Sequence, residues 1–263
     1  MRVLIAATML LLAAHPAAAR TLKVCADPNN MPFSKKTGEG FENKIIALVA
    51  KDIGATVKYV WWAQRRGFVR NTLKNGHCDV WPGVAADMDM LTTTRPYYRS
   101  SYVFVSRKAD GLSITSFDDP RLKTLTIGVQ MVGNDAMNTP PAHALARRGI
   151  TQNVRGFMLY GDYREPAPPA AIVHAVADGR IDVAVAWGPM AGYFAGHEKP
   201  ALSVAPLVAP FDGPGWPMRF AIAMGVKKGN IALAEEIDAV LKREASSIRR
   251  ILEAYRVPLM DGS

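Results

Sequence analysis

The chain has 263 residues and a formal charge of +9, from 32 Lys and Arg against 23 Asp and Glu, with 49% hydrophobic residues. That length fits two lobes of ordinary domain size or one large domain, with a sizeable core. The basic pairs Arg65-Arg66, Arg147-Arg148 and Arg249-Arg250 lie far apart and no basic stripe carries interleaved aromatics, which argues against a nucleic-acid partner and for a basic surface suited to an acidic protein.

Arg2, the apolar run Val3 to Ala14 and the small residues Ala17-Ala18-Ala19 have the layout of a secretory signal peptide. They predict a signal over 1–19, cleavage before Arg20 and a periplasmic location. The run is shorter than the ~20 residues needed to cross a bilayer and no later stretch is long enough, so no membrane span is expected after cleavage. Cys25 and Cys78 are retained, and an even count in an oxidising compartment predicts a disulfide. Their spacing suits neither a metal pair nor a redox loop.

Thr21 to Ala26 reads as a first strand. After a Pro/Asn/Gly-rich stretch, Phe41, Ile45, Leu48, Val49 and Ile53 recur at helical spacing, and Gly54 is placed to end that helix. Val57 to Trp61 predicts a second strand, Gly67 to Asn75 a helix and Cys78 to Trp81 a third strand. This is a βαβαβ unit, and Cys25 and Cys78 approach each other only if its strand order is second, first, third. Ser100 to Val105 reads as extended, and Lys108-Ala109-Asp110-Gly111 as a connection between lobes. A second α/β unit follows, with strands over Thr124 to Val129, Val154 to Leu159 and Ile181 to Ala186 and helices over Asn134 to Arg147 and Ala170 to Asp178. Asp162 to Pro169, with three prolines, is a loop, and Pro210 to Pro217 a turn. Arg219 to Gly225 predicts a strand, and Ile231 to Tyr255 one or two amphipathic helices with Ile237, Leu241, Ile248, Leu252 and Tyr255 on one face. The expected class is α/β.

Ala26-Asp27-Pro28-Asn29-Asn30-Met31-Pro32-Phe33, Gly40-Phe41-Glu42, Arg95-Pro96-Tyr97-Tyr98, Lys123 to Gln130, Gly179-Arg180-Ile181-Asp182 and Gly225 to Gly229 resemble the type II periplasmic solute-binding proteins of the polar amino-acid class. The resemblance covers nearly the whole chain after the signal. It implies a two-lobed fold, each lobe a mixed, mostly parallel sheet flanked by helices, with a central cleft. Lobe 1 would be discontinuous, 20–108 plus 216–263, and lobe 2 inserted, 109–215. Trp61 to Leu73, Thr92 to Ser100 and Ala186 to Tyr193 are similar to the branch associated with quinoprotein dehydrogenases, the MxaJ and XoxJ type J proteins of methanol dehydrogenase gene clusters. That resemblance implies a monomeric, non-enzymatic accessory that assists maturation or activation of a dehydrogenase dependent on pyrroloquinoline quinone (PQQ), in contact with the enzyme, with or without its cytochrome, and holding no cofactor of its own.

In the amino-acid binders an arginine after the third strand clamps the ligand carboxylate and a second-lobe aspartate meets its ammonium. Those positions fall here at Asp87 and Trp187, and a buried carboxylate in place of the arginine would repel an ordinary α-amino acid unless Arg95 or Arg99 compensates. The remaining cleft candidates are Asn29, Asn30, Phe33, Trp62, Tyr97, Gln130, Trp187 and Tyr193, a surface suited to an apolar ring or a protein segment. Phe68 reads as core. Gly133-Asn134-Asp135 opens a predicted helix whose free backbone amides suit an anion, although capping by Asn134 or Asp135 is the plainer reading. No Gly-x-Ser-x-Gly elbow occurs and the histidines lack ligand spacing, which leaves an enzyme and a metal site without support. The alternative to the accessory role is the binding component of an importer for a small neutral or aromatic solute, recognisable by solute capture with lobe closure.

Overall fold

The computed structural model describes residues 20–132, 138–160, 162–213 and 215–260. The predicted signal segment and Asp135 lie outside the described residues. Strand β1 (Arg20–Ala26) leads into the two-residue hairpin of β2 (Asn29–Asn30) and β3 (Ser34–Lys35), and then into α1 (Phe41–Asp52). Helix α1 starts where the Asn43 side chain accepts the Gly40 N–H at 3.1 Å, and the chain leaves it through Gly54, whose φ of 66° is costly for any other residue. Strand β4 (Ala55–Trp61) pairs parallel to β1 along its whole length. The predicted helix over 67–75 shrinks to α2 (Phe68–Asn71), because the chain leaves helical geometry at Thr72, whose hydroxyl donates to the Phe68 carbonyl.

Strand β5 (Val80–Ala85) pairs with the other side of β1, which gives the order second, first, third that the cysteines require. Cys25 and Cys78 form a disulfide with Cα atoms 5.5 Å apart. Strands β6 (Leu91–Thr93) and β7 (Tyr98–Arg107) follow. The second half of the sheet holds β8 (Ile127–Met131), α3 (Pro140–Arg147), β9 (Val154–Met158), α4 (Ala171–Ala177), β10 (Val183–Trp187), α5 (Gly188–Ala195) and β11 (Leu202–Pro206). The chain returns through β12 (Arg219–Lys227) and ends in α6 (Ile231–Arg243) and α7 (Ala245–Ala254), so the long C-terminal helical pattern is two helices.

The sheet order is β4-β1-β5-β12-β7-β10-β8-β9, with β11 on β7 and β6 on β12. Strand β7 belongs to both halves: Tyr98–Ser101 pair antiparallel with β12, and Tyr102–Arg107 with β10 and β11. This is the type II periplasmic binding-protein fold, a mixed, mostly parallel sheet flanked by helices. One apolar cluster runs through α1, α6, α7, α4 and α5; a second fills the far half; a third surrounds the disulfide and contains Phe68, Leu73 and Trp81.

Candidate functional site

Between the two halves lies a cavity of about 260 Å³. Its walls come from the carboxyl ends of parallel strands β1, β8 and β10 and from the segments after β4 and β9, the position at which open α/β sheets bind ligands. Asp27 follows the last residue of β1, Gln64 lies beyond β4, Gln130 is the penultimate residue of β8, and Trp187 ends β10. Tyr102 of β7 and Phe220 of β12 complete a ring cluster with Trp187, at centroid separations of 5.4, 5.7 and 6.4 Å. The Trp187 N–H donates to Gln130 Oε1 at 3.0 Å, which ties the ends of β8 and β10 together.

Asp27 is buried and fully engaged. It accepts the backbone N–H groups of Asn29 (2.8 Å) and Gln64 (2.7 Å) and the hydroxyl of Tyr163, which arrives from the opposite half. Burial raises the Tyr163 phenol well above its ordinary range, and the bond to Asp27 adds to this. Asn29 Nδ2 donates to the Glu165 carbonyl at 2.8 Å, and Arg65 stacks over the Tyr163 ring, so three contacts cross between the halves beside the cavity.

Glu42 is the second carboxyl in the wall. It sits in the first turn of α1, only 7% exposed, and a Cβ on Gly83 would lie 2.1 Å from its Oε1, so the side chain occupies space that only a glycine in β5 leaves open. Burial, with the charge of Asp27 adding to it, pushes this carboxyl up to about 8. No hydrogen-bond donor and no Lys or Arg among the described residues engages it. Asn29 Oδ1 is a second buried acceptor without a partner. Among the described residues, no Lys, Arg or His lines the cavity.

Of the residues expected from sequence, the cavity gathers Asn29, Asn30, Phe33, Gln130 and Trp187. It leaves out six others. Trp62 is 47% exposed beyond the end of β4. Asp87 is exposed because the chain leaves the sheet after Ala85 and turns, so the expected buried carboxylate at the arginine position is instead a surface group; the buried carboxyls are Asp27 and Glu42. Arg95 pairs with Asp238 of α6, its backbone N–H donating to Oδ1 at 2.6 Å. Tyr97 points into lobe packing, its hydroxyl donating to the Pro82 carbonyl at 2.9 Å. Arg99 is exposed on β7, and Tyr193 stacks on Tyr255 at 5.5 Å. Sequence reasoning missed Asp27, Glu42, Tyr102, Tyr160, Tyr163 and Phe220 as wall residues; a glycine inside the β5 pattern was the signal available for Glu42.

A larger groove of about 920 Å³ lies on the other side of Gln64 and Tyr160, which line both spaces. Arg65, Arg66, Arg70, Lys74, Lys227 and Lys228 line it against one acid, Asp89, and its apolar lining is Phe68, Val69, Trp81, Leu91 and the exposed Met90.

Residues 22–256 match the bacterial extracellular solute-binding proteins, family 3. Protein MoxJ of Methylorubrum extorquens is 36% identical over 92% of this chain and 82% of that protein. The crystal structure of periplasmic binding protein XoxJ from Methylobacterium extorquens AM1 is 35% identical, covers 91% of this chain and 99% of its own, and superposes with a TM-score of 0.74. MxaJ from Methlophaga aminisulfidivorans MPT is 25% identical over 91% of this chain and 100% of its own, at a TM-score of 0.77.

Proposed function

The chain belongs to the bacterial extracellular solute-binding proteins, family 3, and is of the MxaJ/XoxJ type; within that family we propose that it is a periplasmic, non-enzymatic accessory of a PQQ-dependent methanol or alcohol dehydrogenase. In this reading the segment 1–19 exports it, and it works as two lobes, 20–108 with 216–263 and 109–215, assisting maturation or activation of the enzyme through a protein contact. The observation that carries the contact is the basic groove: six Lys and Arg side chains over an apolar floor suit an acidic protein surface. The cavity of about 260 Å³ is too small for a folded segment, which moves the contact from the cleft to the surface.

Capture on the tagged chain from periplasmic extract tests this. A quinoprotein subunit, with or without its cytochrome, is expected on the chain, released by raising the salt and absent with Arg70→Glu and Lys74→Glu together. An ample chain on the beads with no quinoprotein subunit overturns the reading. The cavity between the halves favours a second reading, the solute-binding component of an importer, which predicts tight solute capture with lobe closure and no dehydrogenase in the eluate.

A further inference from the structure

The cavity's polar groups are one-sided. Its two carboxyls and the unpartnered Asn29 Oδ1 all ask for a donor, and no cationic side chain among the described residues answers them. Asp27 already holds three donors, so the open demand is at Glu42, more than nine-tenths buried, facing the space and without a hydrogen bond. Ionising a buried carboxyl in that state is costly, so Glu42 keeps its proton while the cavity is empty and is free to pair with a positive charge that enters. The same cavity is lined by Trp187, Tyr102 and Phe220, and aromatic ring faces attract cations as well as apolar groups.

We propose that the cavity receives a small organic ammonium ion, a compact apolar or aromatic body with one protonated amine and no carboxylate, with Glu42 as its counter-ion and the three rings enclosing the body. Size and charge narrow the ligand to this class. The volume lies below the ~300 Å³ at which drug-sized pockets begin. An anion or an α-amino acid would bring a carboxylate to a wall with no Arg or Lys and two acids. A bare metal ion needs six or more oxygens or a set of nitrogen and sulfur ligands, whereas the described residues hold no group of three metal-binding side chains. The site stands independently of the dehydrogenase contact, since the groove and the cavity are separate spaces that share only Gln64 and Tyr160.

Calorimetry on the purified chain at pH 7, with benzylammonium, benzyl alcohol and benzoate as three probes of nearly one shape, tests the assignment. Benzylammonium is expected to bind at least tenfold more tightly than benzyl alcohol, and benzoate to give no heat. Because the Glu42 carboxyl is mostly protonated in the empty cavity and ionised beside an ammonium, binding should release close to one proton, read from the dependence of the heat on buffer ionisation enthalpy. Glu42→Gln, nearly the same in shape, should lose the preference for benzylammonium and the proton release together. The assignment is overturned if benzyl alcohol binds as well as benzylammonium, if neither benzylammonium nor methylammonium nor tetramethylammonium binds, or if Glu42→Gln binds benzylammonium undiminished. Should that variant fail to fold, charge selectivity and proton release in the unaltered chain decide alone.

Discussion

Gln64 and Tyr160 separate two spaces of opposite character. Among the described residues, the cavity on one side has two acids, no bases and a ring cluster, and the groove on the other has six bases, one acid and an apolar floor. Burial makes the difference matter. Charges on the groove are hydrated and screened within about 10 Å at 0.1 M salt, so they steer a partner more than they hold the fold. Charges in the cavity are shielded from water, so each must be answered by donors or by a proton. Asp27 is answered by donors from three chain segments, Glu42 by a raised proton affinity. Net charge therefore says little about the ligand of this chain, because the excess of bases is a surface property.

The disulfide lies in the apolar cluster that also supplies Phe68 and Trp81 to the groove, and Cys25 sits at the end of β1, two residues before Asp27. Replacing both cysteines with Ser is expected to damage both spaces and to cost ~4 kcal/mol for a loop of this length, measured by denaturant unfolding. Glu42→Gln touches only the cavity. The carboxyl titrates at about 8 when folded and at the ordinary 4.5 when unfolded, so its contribution is complete below 4.5 and is lost as the pH rises toward and through 8. The unaltered chain should therefore lose stability relative to Glu42→Gln over that window, on the order of a few kcal/mol, in denaturant midpoints taken at pH 5 and pH 9. Tyr163→Phe removes one donor from Asp27 across the halves and should cost about 1.5–3 kcal/mol, with faster amide exchange in the loop around Tyr163. Arg70→Glu with Lys74→Glu should shift stability by no more than ~0.5 kcal/mol per site while weakening capture of the acidic partner, which separates the groove's role from the fold's.

The strands and helices around β1, α1 and β4 are legible because apolar spacing, Gly54 and the two cysteines all point the same way. Helix α5 is hidden by its own start: Gly188-Pro189 reads as a turn, although proline in the first helical turn is compatible with a helix. Strand β11 is short, ends in Pro206 and pairs only with β7, so its sequence carries little alternation. The site divides in the same way. Trp187 is legible as the end of a strand beside Gly-Pro, and Asn29, Asn30 and Phe33 as a loop after one. Glu42 looks like an ordinary acid in a helix's first turn, and its burial depends on Gly83, some forty residues later. Asp27 gains its partners from Gln64 and Tyr163, a proximity that no local pattern encodes.

Strand β7 gives the molecule a mechanical property. Its ten residues are hydrogen-bonded at one end into the sheet of β12 and at the other into that of β10 and β11, and Arg107 anchors the far end by donating to the carbonyls of Val176 and Ile181. The halves are consequently not two bodies on a slack tether. Any change in the angle between them winds or unwinds one continuous ribbon, which acts as a torsion spring with its restoring force distributed along the backbone. The return crossing from β11 to β12, over 207–218, lacks such a ladder among the described residues, so of the two connections β7 is the one hydrogen-bonded into both halves.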